Sequence, residues 1–165
     1  MGTRSLTYFK ESEYGEPFMA LYRQFDGNPE NHGLDMVQFM AGKRLLNGYN
    51  PLGNDMHNFN GMGDLAAQMV AHFKTYNHPL HDVNGIMLPN MMKSPRYTEP
   101  RVGNYYIMAP GAEGVGEQFS YHIYPHDEEI FITIFDEYEE DVIYEGSIAN
   151  YPYWTEVDGN EVEII

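Results

Sequence analysis

Two arginines, Arg4 and Arg23, stand at the outer ends of two strand-like runs, residues 3–9 and 17–23. When the most apolar stripes of the two runs are paired, Leu6 falls opposite Leu21 and Tyr8 opposite Met19, which sets Arg4 across from Arg23. Like charges facing one another across a strand pair destabilise it unless something negative sits between them. The loop leaving that end carries Asp26 and then His32, just ahead of a helical run whose first amide N–H groups favour anions. Two readings follow. The arginines converge on Asp26 as an internal ion-pair network, or they converge on a bound phosphate or carboxylate. In the second case Tyr22, Phe25 and Tyr49 offer rings for stacking, and Asn60, in an Asn/Gly-rich loop, helps to close the pocket.

Other constellations are weaker. His78 and His81 stand three apart beside Asp82, and His122 and His126 stand four apart before Asp127, Glu128 and Glu129. Neither matches the helical zinc-hydrolase pattern, the second pair lying on a strand and then a turn, so surface histidines are expected and no metal is assigned. Ser120 and His122 share one strand face and form an acid–base set only if a carboxylate joins them. Gly111, Gly114 and Gly116 resemble a phosphate loop superficially, but no Lys and Ser/Thr follow and Glu113 and Glu117 repel phosphate, so a hairpin loop is expected. No motif calls for a cofactor.

The elements that position these groups follow from local pattern. Residues 3–9 and 17–23 read as a β-hairpin, and Asp26-Gly27-Asn28-Pro29 as a turn. A short helix is expected over residues 34–41, with Leu34 and Val37 inward and Gly42 at its end. Residues 47–63 are a long irregular loop, after which Asp64 caps a helix over 65–76 with Leu65, Met69, His72 or Phe73, and Tyr76 on its apolar face. Residues 77–101 carry four prolines and read as a surface excursion. Strands follow at 104–109, 117–124, 130–135 and 142–145. In residues 117–124, Phe119, Tyr121 and Ile123 alternate with Gln118, Ser120 and His122, the period of a strand with one buried face. The tail with Tyr151, Tyr153 and Trp154 is placed at a sheet edge or in a dimer contact. The expected fold is a single α+β domain over 1–165: a mostly antiparallel sheet of five to seven strands with two helices packed on one face, in the order ββααββββ.

Composition bounds the function. The chain has no cysteine, which excludes disulfides, thiolate nucleophiles and cysteine-based zinc sites. No secretory apolar stretch opens it and no run of about 18 apolar residues crosses a membrane, so a cytoplasmic protein is expected. The net charge of −16 is uneven, with −2 in residues 1–100 and −14 in residues 101–165. Direct binding to nucleic acid, which rests on neutralising phosphates, is therefore not expected. The acidic third serves solubility, or it forms a face that docks a basic protein partner or mimics a polyanion.

With Met1-Gly2-Thr3-Arg4-Ser5-Leu6-Thr7, Tyr22-Arg23-Gln24-Phe25-Asp26-Gly27 and Asn60-Gly61-Met62-Gly63 in view, the chain resembles a family of small uncharacterised bacteriophage and bacterial proteins. The resemblance covers about the first 75 residues and implies a phage setting, hence a host cytoplasm, and little chemistry. Three functions follow as expectations. The first is a binding protein for a nucleotide or other small anionic ligand, such as an anti-defence sponge of a nucleotide immune signal, with Arg4, Arg23, Asp26, His32, Tyr22, Phe25 and Asn60 as its site. The second is a nucleotide or phosphodiester hydrolase using His32 with Arg4 and Arg23. The third is an inhibitor acting through the acidic face.

Overall fold

The computed structural model describes residues 2–48, 57–75 and 103–152, together with the backbone of 156–157 and 160–161. β-Branched, aromatic and aliphatic residues make a strand of β1 (Ser5–Lys10), buried on both faces over Ser5, Leu6 and Thr7, and β2 (Pro17–Arg23) folds back on it. The chain then winds through one wide helical turn (Pro29–Gly33), opened by Pro29, into α1 (Leu34–Met40). Leu34, Met36, Val37 and Met40 are buried, and Gly42, at a positive φ of 74°, turns the chain away.

Two short strands, β3 (Leu45–Leu46) and β4 (Phe59–Asn60), pair in parallel and lead into α2 (Gly61–Thr75). The helix starts ahead of Asp64 rather than after it. The Asp64 carboxylate accepts from the Asn60 N–H at 2.8 Å, so it still satisfies a backbone donor at the helix entrance, but from inside the first turn. Met62, Leu65, Ala66, Met69 and Phe73 form its buried stripe.

The remaining strands are β5 (Tyr105–Met108), β6 (Phe119–His126), β7 (Glu129–Asp136) and β8 (Asp141–Ser147), followed by a single 3-10 turn (Ile148–Asn150). Asp127 and Glu128, both left-handed at φ 48° and 69°, make the tight two-residue connection between β6 and β7 that matches the twist of the paired strands. Two further two-residue strands, β9 (Glu156–Val157) and β10 (Asn160–Glu161), pair with each other.

Six strands make one sheet in the order β5-β2-β1-β6-β7-β8. All neighbours are antiparallel except β1 and β6, which run in parallel at the centre. The fold is thus α+β with two helices on a mostly antiparallel sheet, as the sequence pattern leads one to expect. The main core lies between the helices and the sheet face formed by Phe9, Leu21, Phe119, Tyr121, Ile123, Ile132 and Ile134. A smaller cluster of Leu6, Ala20 and Tyr22 lies on the opposite face, under Val115 and Met108.

Two expectations are corrected. The hairpin register is shifted by one residue: Ser5 faces Arg23, Leu6 faces Tyr22, Thr7 faces Leu21 and Phe9 faces Met19. A one-residue shift sends every side chain of a strand to the other face. The glycine-rich segment after β5 is not a hairpin loop. β5 and β6 point the same way with β2 and β1 between them, so residues 109–118 form a crossover strap. Val115 of this strap packs on the Leu6 cluster, and Gly114 and Gly116 take positive φ of 67° and 84°. No helix among the described residues is long and apolar enough to cross a membrane.

Gly33 sits where the Tyr151 hydroxyl reaches in to donate to the Pro29 carbonyl at 2.7 Å. A methyl group there would overlap that hydroxyl. Gly33→Ala is expected to lower stability by about 1–3 kcal/mol, the range of overpacked cores. In a Tyr151→Phe background, urea denaturation is expected to show a clearly smaller cost, because the colliding oxygen is gone.

Candidate functional site

The register decides where the sequence-derived site residues go. Arg23 lies on the helix face, 5% exposed, and Arg4 on the opposite face. They do not converge. Three of the five donors of Arg23 are filled from within the chain: Nε donates to the Phe25 carbonyl at 2.6 Å, and NH1 to Asp35 at 2.8 Å and to His32 Nδ1 at 3.3 Å. Its guanidinium also lies 5.2 Å from the Tyr105 ring centroid. Because a guanidinium can only donate, His32 accepts at Nδ1 and carries its proton on Nε2. Nε2 then donates to Thr7 Oγ1 at 2.8 Å, and the Thr7 hydroxyl points its own hydrogen at Met36 Sδ, 3.7 Å away.

His32 is 0% exposed, edge-on to Tyr121, so a substrate on the surface does not reach it. The counter-ion of Arg23 is Asp35 on α1, not Asp26. Burial pushes the Asp35 carboxyl above the usual carboxylate range even though the Arg23 guanidinium beside it pulls the other way. Desolvation wins. The pair is a structural device, not a reserve of stability. Asp26 instead occupies a left-handed turn position at φ 57°. Phe25 is 53% exposed, and its backbone is held by Asn104. Tyr22 lies on the Arg4 face, stacked on Tyr106 and donating to Gln24. Asn60 accepts from the Gly48 N–H at the entrance of α2. These seven residues therefore divide between a buried network, the opposite sheet face and two surface turns.

The site with open volume is on the face away from the helices. A groove of about 600 Å³ runs between the β1–β2 turn and the strap, over the central strands. Its floor is Tyr8 from β1 with Ser120 and His122 from β6, side by side because those strands pair in parallel, with Tyr8 level with His122. The Tyr8 and His122 rings stack at 5.0 Å. Tyr8 donates to the Ala112 carbonyl at 2.5 Å, anchoring the strap, and Arg4 reaches the Val115 carbonyl at 3.5 Å. Ser120 donates to Glu137 at 2.7 Å. A carboxylate does stand beside Ser120 and His122, but it holds the serine.

Electrostatics in the groove are acidic. Burial first, then Glu117, Glu137 and Glu113, push the Tyr8 hydroxyl up to about 12. Burial, aided by Lys10, holds the His122 imidazole down to about 4, and its Nδ1 is sealed from solvent without a partner among the described residues. Sequence reasoning singled out Ser120 and His122 but not Tyr8, Glu137 or the strap. The pairing of β1 with β6 spans more than a hundred residues and leaves no local signal.

Among the described residues no group of three His, Asp or Glu side chains is placed to hold a metal ion; His78, His81 and Asp82 lie outside them, as do Tyr49, Tyr153 and Trp154. The acidic run from Asp136 to Asp141 is the turn between β7 and β8, with Asp136 accepting from the Tyr138 and Glu139 N–H groups. Comparison with protein-family models, curated proteins and solved structures finds no match to this chain.

Two predictions test this placement. Arg23→Met takes the guanidinium away from Asp35, His32 and the Phe25 carbonyl and is expected to cost about 3 kcal/mol, whereas Arg23→Met with Asp35→Leu is expected to recover part of that loss in chemical denaturation. For His122, the unfolded imidazole takes up its proton near pH 6.5, while the folded one resists until about pH 4. Stability is therefore expected to fall as the pH drops through that window and to level off below it, by on the order of 3 kcal/mol from this group. Replacing it, as His122→Gln, is expected to flatten the urea midpoint over pH 4–7 relative to wild type.

Proposed function

We propose that the protein is a small-ligand binding protein whose site is the groove on the sheet face away from the helices. The observation that carries this reading is the stacked Tyr8–His122 floor in an open volume of about 600 Å³, walled by segments far apart in the chain. A concave site with an aromatic base and a few convergent polar groups is the usual form of a small-molecule site. The nucleotide-sponge expectation drew its phosphate recognition from Arg4 and Arg23 acting together. With those two residues on opposite sheet faces, a nucleotide has ring stacking to offer this groove and no cationic clamp. Hydrolysis through His32 has no support, since that ring is enclosed, and Ser120 is hydrogen-bonded to Glu137 rather than activated by His122.

A thermal-shift screen of ring-bearing metabolites, nucleotides and cyclic nucleotides included, tests the reading. A ligand at a hundred times its Kd adds about 2.7 kcal/mol, which is about 5–10 °C for a chain of this size. Hits are expected to vanish in the groove-filling variant Ala112→Trp, and mass analysis is expected to return each ligand unchanged. Hits that survive Ala112→Trp place binding elsewhere and defeat the reading; a hit returned chemically altered makes the protein an enzyme.

A further inference from the structure

Building on the groove as a binding site, we propose that its ligand is an organic cation, an amine carried on a planar ring. The argument is an inventory of hydrogen-bonding capacity. The two hydroxyl donors on the floor are already committed within the chain, Tyr8 to the Ala112 carbonyl and Ser120 to Glu137. Lys10, the one cationic side chain among the described residues lining the groove, reaches back to the Glu13 carbonyl at 3.4 Å and has its charged form disfavoured by burial.

What remains is acceptor capacity. Each carboxylate has two oxygens and about four lone-pair sites, and the Ser120 bond to Glu137 uses one of them. Glu113 on the strap and Glu13 and Glu16 on the β1–β2 turn add three more carboxylates to the same walls. Among the described residues of the lining, four carboxylates face one ammonium. A guest that brings its own donors and a positive charge completes the groove, whereas one bringing phosphate or carboxylate meets like charge.

The floor adds the second requirement. Tyr8 and His122 present a stacked aromatic surface, and Tyr14 on the neighbouring turn is 92% exposed, free to lie over a guest. Aromatic surface next to carboxylates is the chemistry that recognises organic cations, through cation–π attraction and charge-assisted hydrogen bonds. The assignment is to ligand class: a ring of one or two fused cycles bearing a primary or secondary amine.

The test uses one ring with three charges. Tryptamine, indole-3-ethanol and indole-3-acetate are titrated into the isotope-labelled full-length protein, alongside AMP, and amide and aromatic signals of Tyr8, Gly111, Ala112 and His122 are followed. Tryptamine is expected to move these signals and to bind at least tenfold more tightly than indole-3-ethanol, with indole-3-acetate and AMP weaker still. Glu137→Gln keeps an acceptor for Ser120 while removing the charge. It is expected to weaken tryptamine at least fivefold and to leave indole-3-ethanol within twofold; Glu113→Gln, on the exposed strap, repeats the measurement should the first variant fold poorly. If the acetate or AMP binds as tightly as the amine at these signals, the cation assignment is overturned and the groove reading stands. If no member of the series moves them and the metabolite screen finds no hit lost in Ala112→Trp, both fall together.

Discussion

Two strands that point the same way cannot be joined by a turn, and this constraint shapes the molecule. β5 and β6 are parallel with β2 and β1 between them, so the chain leaving β5 has to cross a face of the sheet to enter β6. The two helices already occupy one face. Residues 109–118 take the other. The strap covers Leu6, Ala20 and Tyr22, which would otherwise form an apolar patch on the surface, and is pinned by Tyr8 and Arg4 from the central strand beneath it. Gly114 and Gly116 let it turn there, and a side chain at Gly116 would meet the Arg4 guanidinium. The strap crosses only part of the face, and the groove is the uncovered remainder up to the β1–β2 turn.

The hairpin shows how a local pattern can be right in kind and wrong in register. Pairing apolar stripes assumes one buried face. Both faces of β1 are covered, so Leu6 and Phe9 are equally enclosed while pointing to different faces, and Thr7 is fully buried because His32 supplies its partner. With two buried faces, hydrophobicity no longer distinguishes registers one residue apart. The true register sets Arg23 against Ser5 and puts Arg4 on the strap side. The anticipated convergence of Arg4 and Arg23 on Asp26 does not form; Arg23 alone makes an ion pair, and it makes it with Asp35.

Elements whose signal is short-range were readable. The stripe of Leu65, Met69 and Phe73 marks α2, and the alternation of Phe119, Tyr121 and Ile123 marks the buried face of β6. The two-strand crossing was not, since glycines between strands look alike whether they turn a hairpin or cross a sheet. Nor was the groove, because Tyr8, Ala112, His122 and Glu137 meet only through the parallel pairing of β1 with β6 and the return of β7. Composition reported the acidic excess of the last third without saying where it points.

The structure gives part of that excess a direction. Asp136 holds a turn, while the adjacent Glu137 reaches back over the sheet to Ser120, and Glu113 rides on the strap. Burial first, and then Glu117, Glu137 and Glu113, push the Tyr8 hydroxyl up to about 12. A protonated Tyr8 is the donor that fixes the strap at Ala112, whereas a phenolate there would face a carbonyl oxygen and be repelled. Charge and burial therefore divide the work. The carboxylates make the interior of the groove a place for positive charge, and burial, with Glu117, Glu137 and Glu113 behind it, keeps in its donor state the hydroxyl that ties the wall of the groove to its floor. A neutral substitute for Tyr8 without the hydroxyl would leave the acids in place and remove one of the two side-chain ties on the strap, so the shape of the groove and its charge depend on different atoms of the same small set of residues.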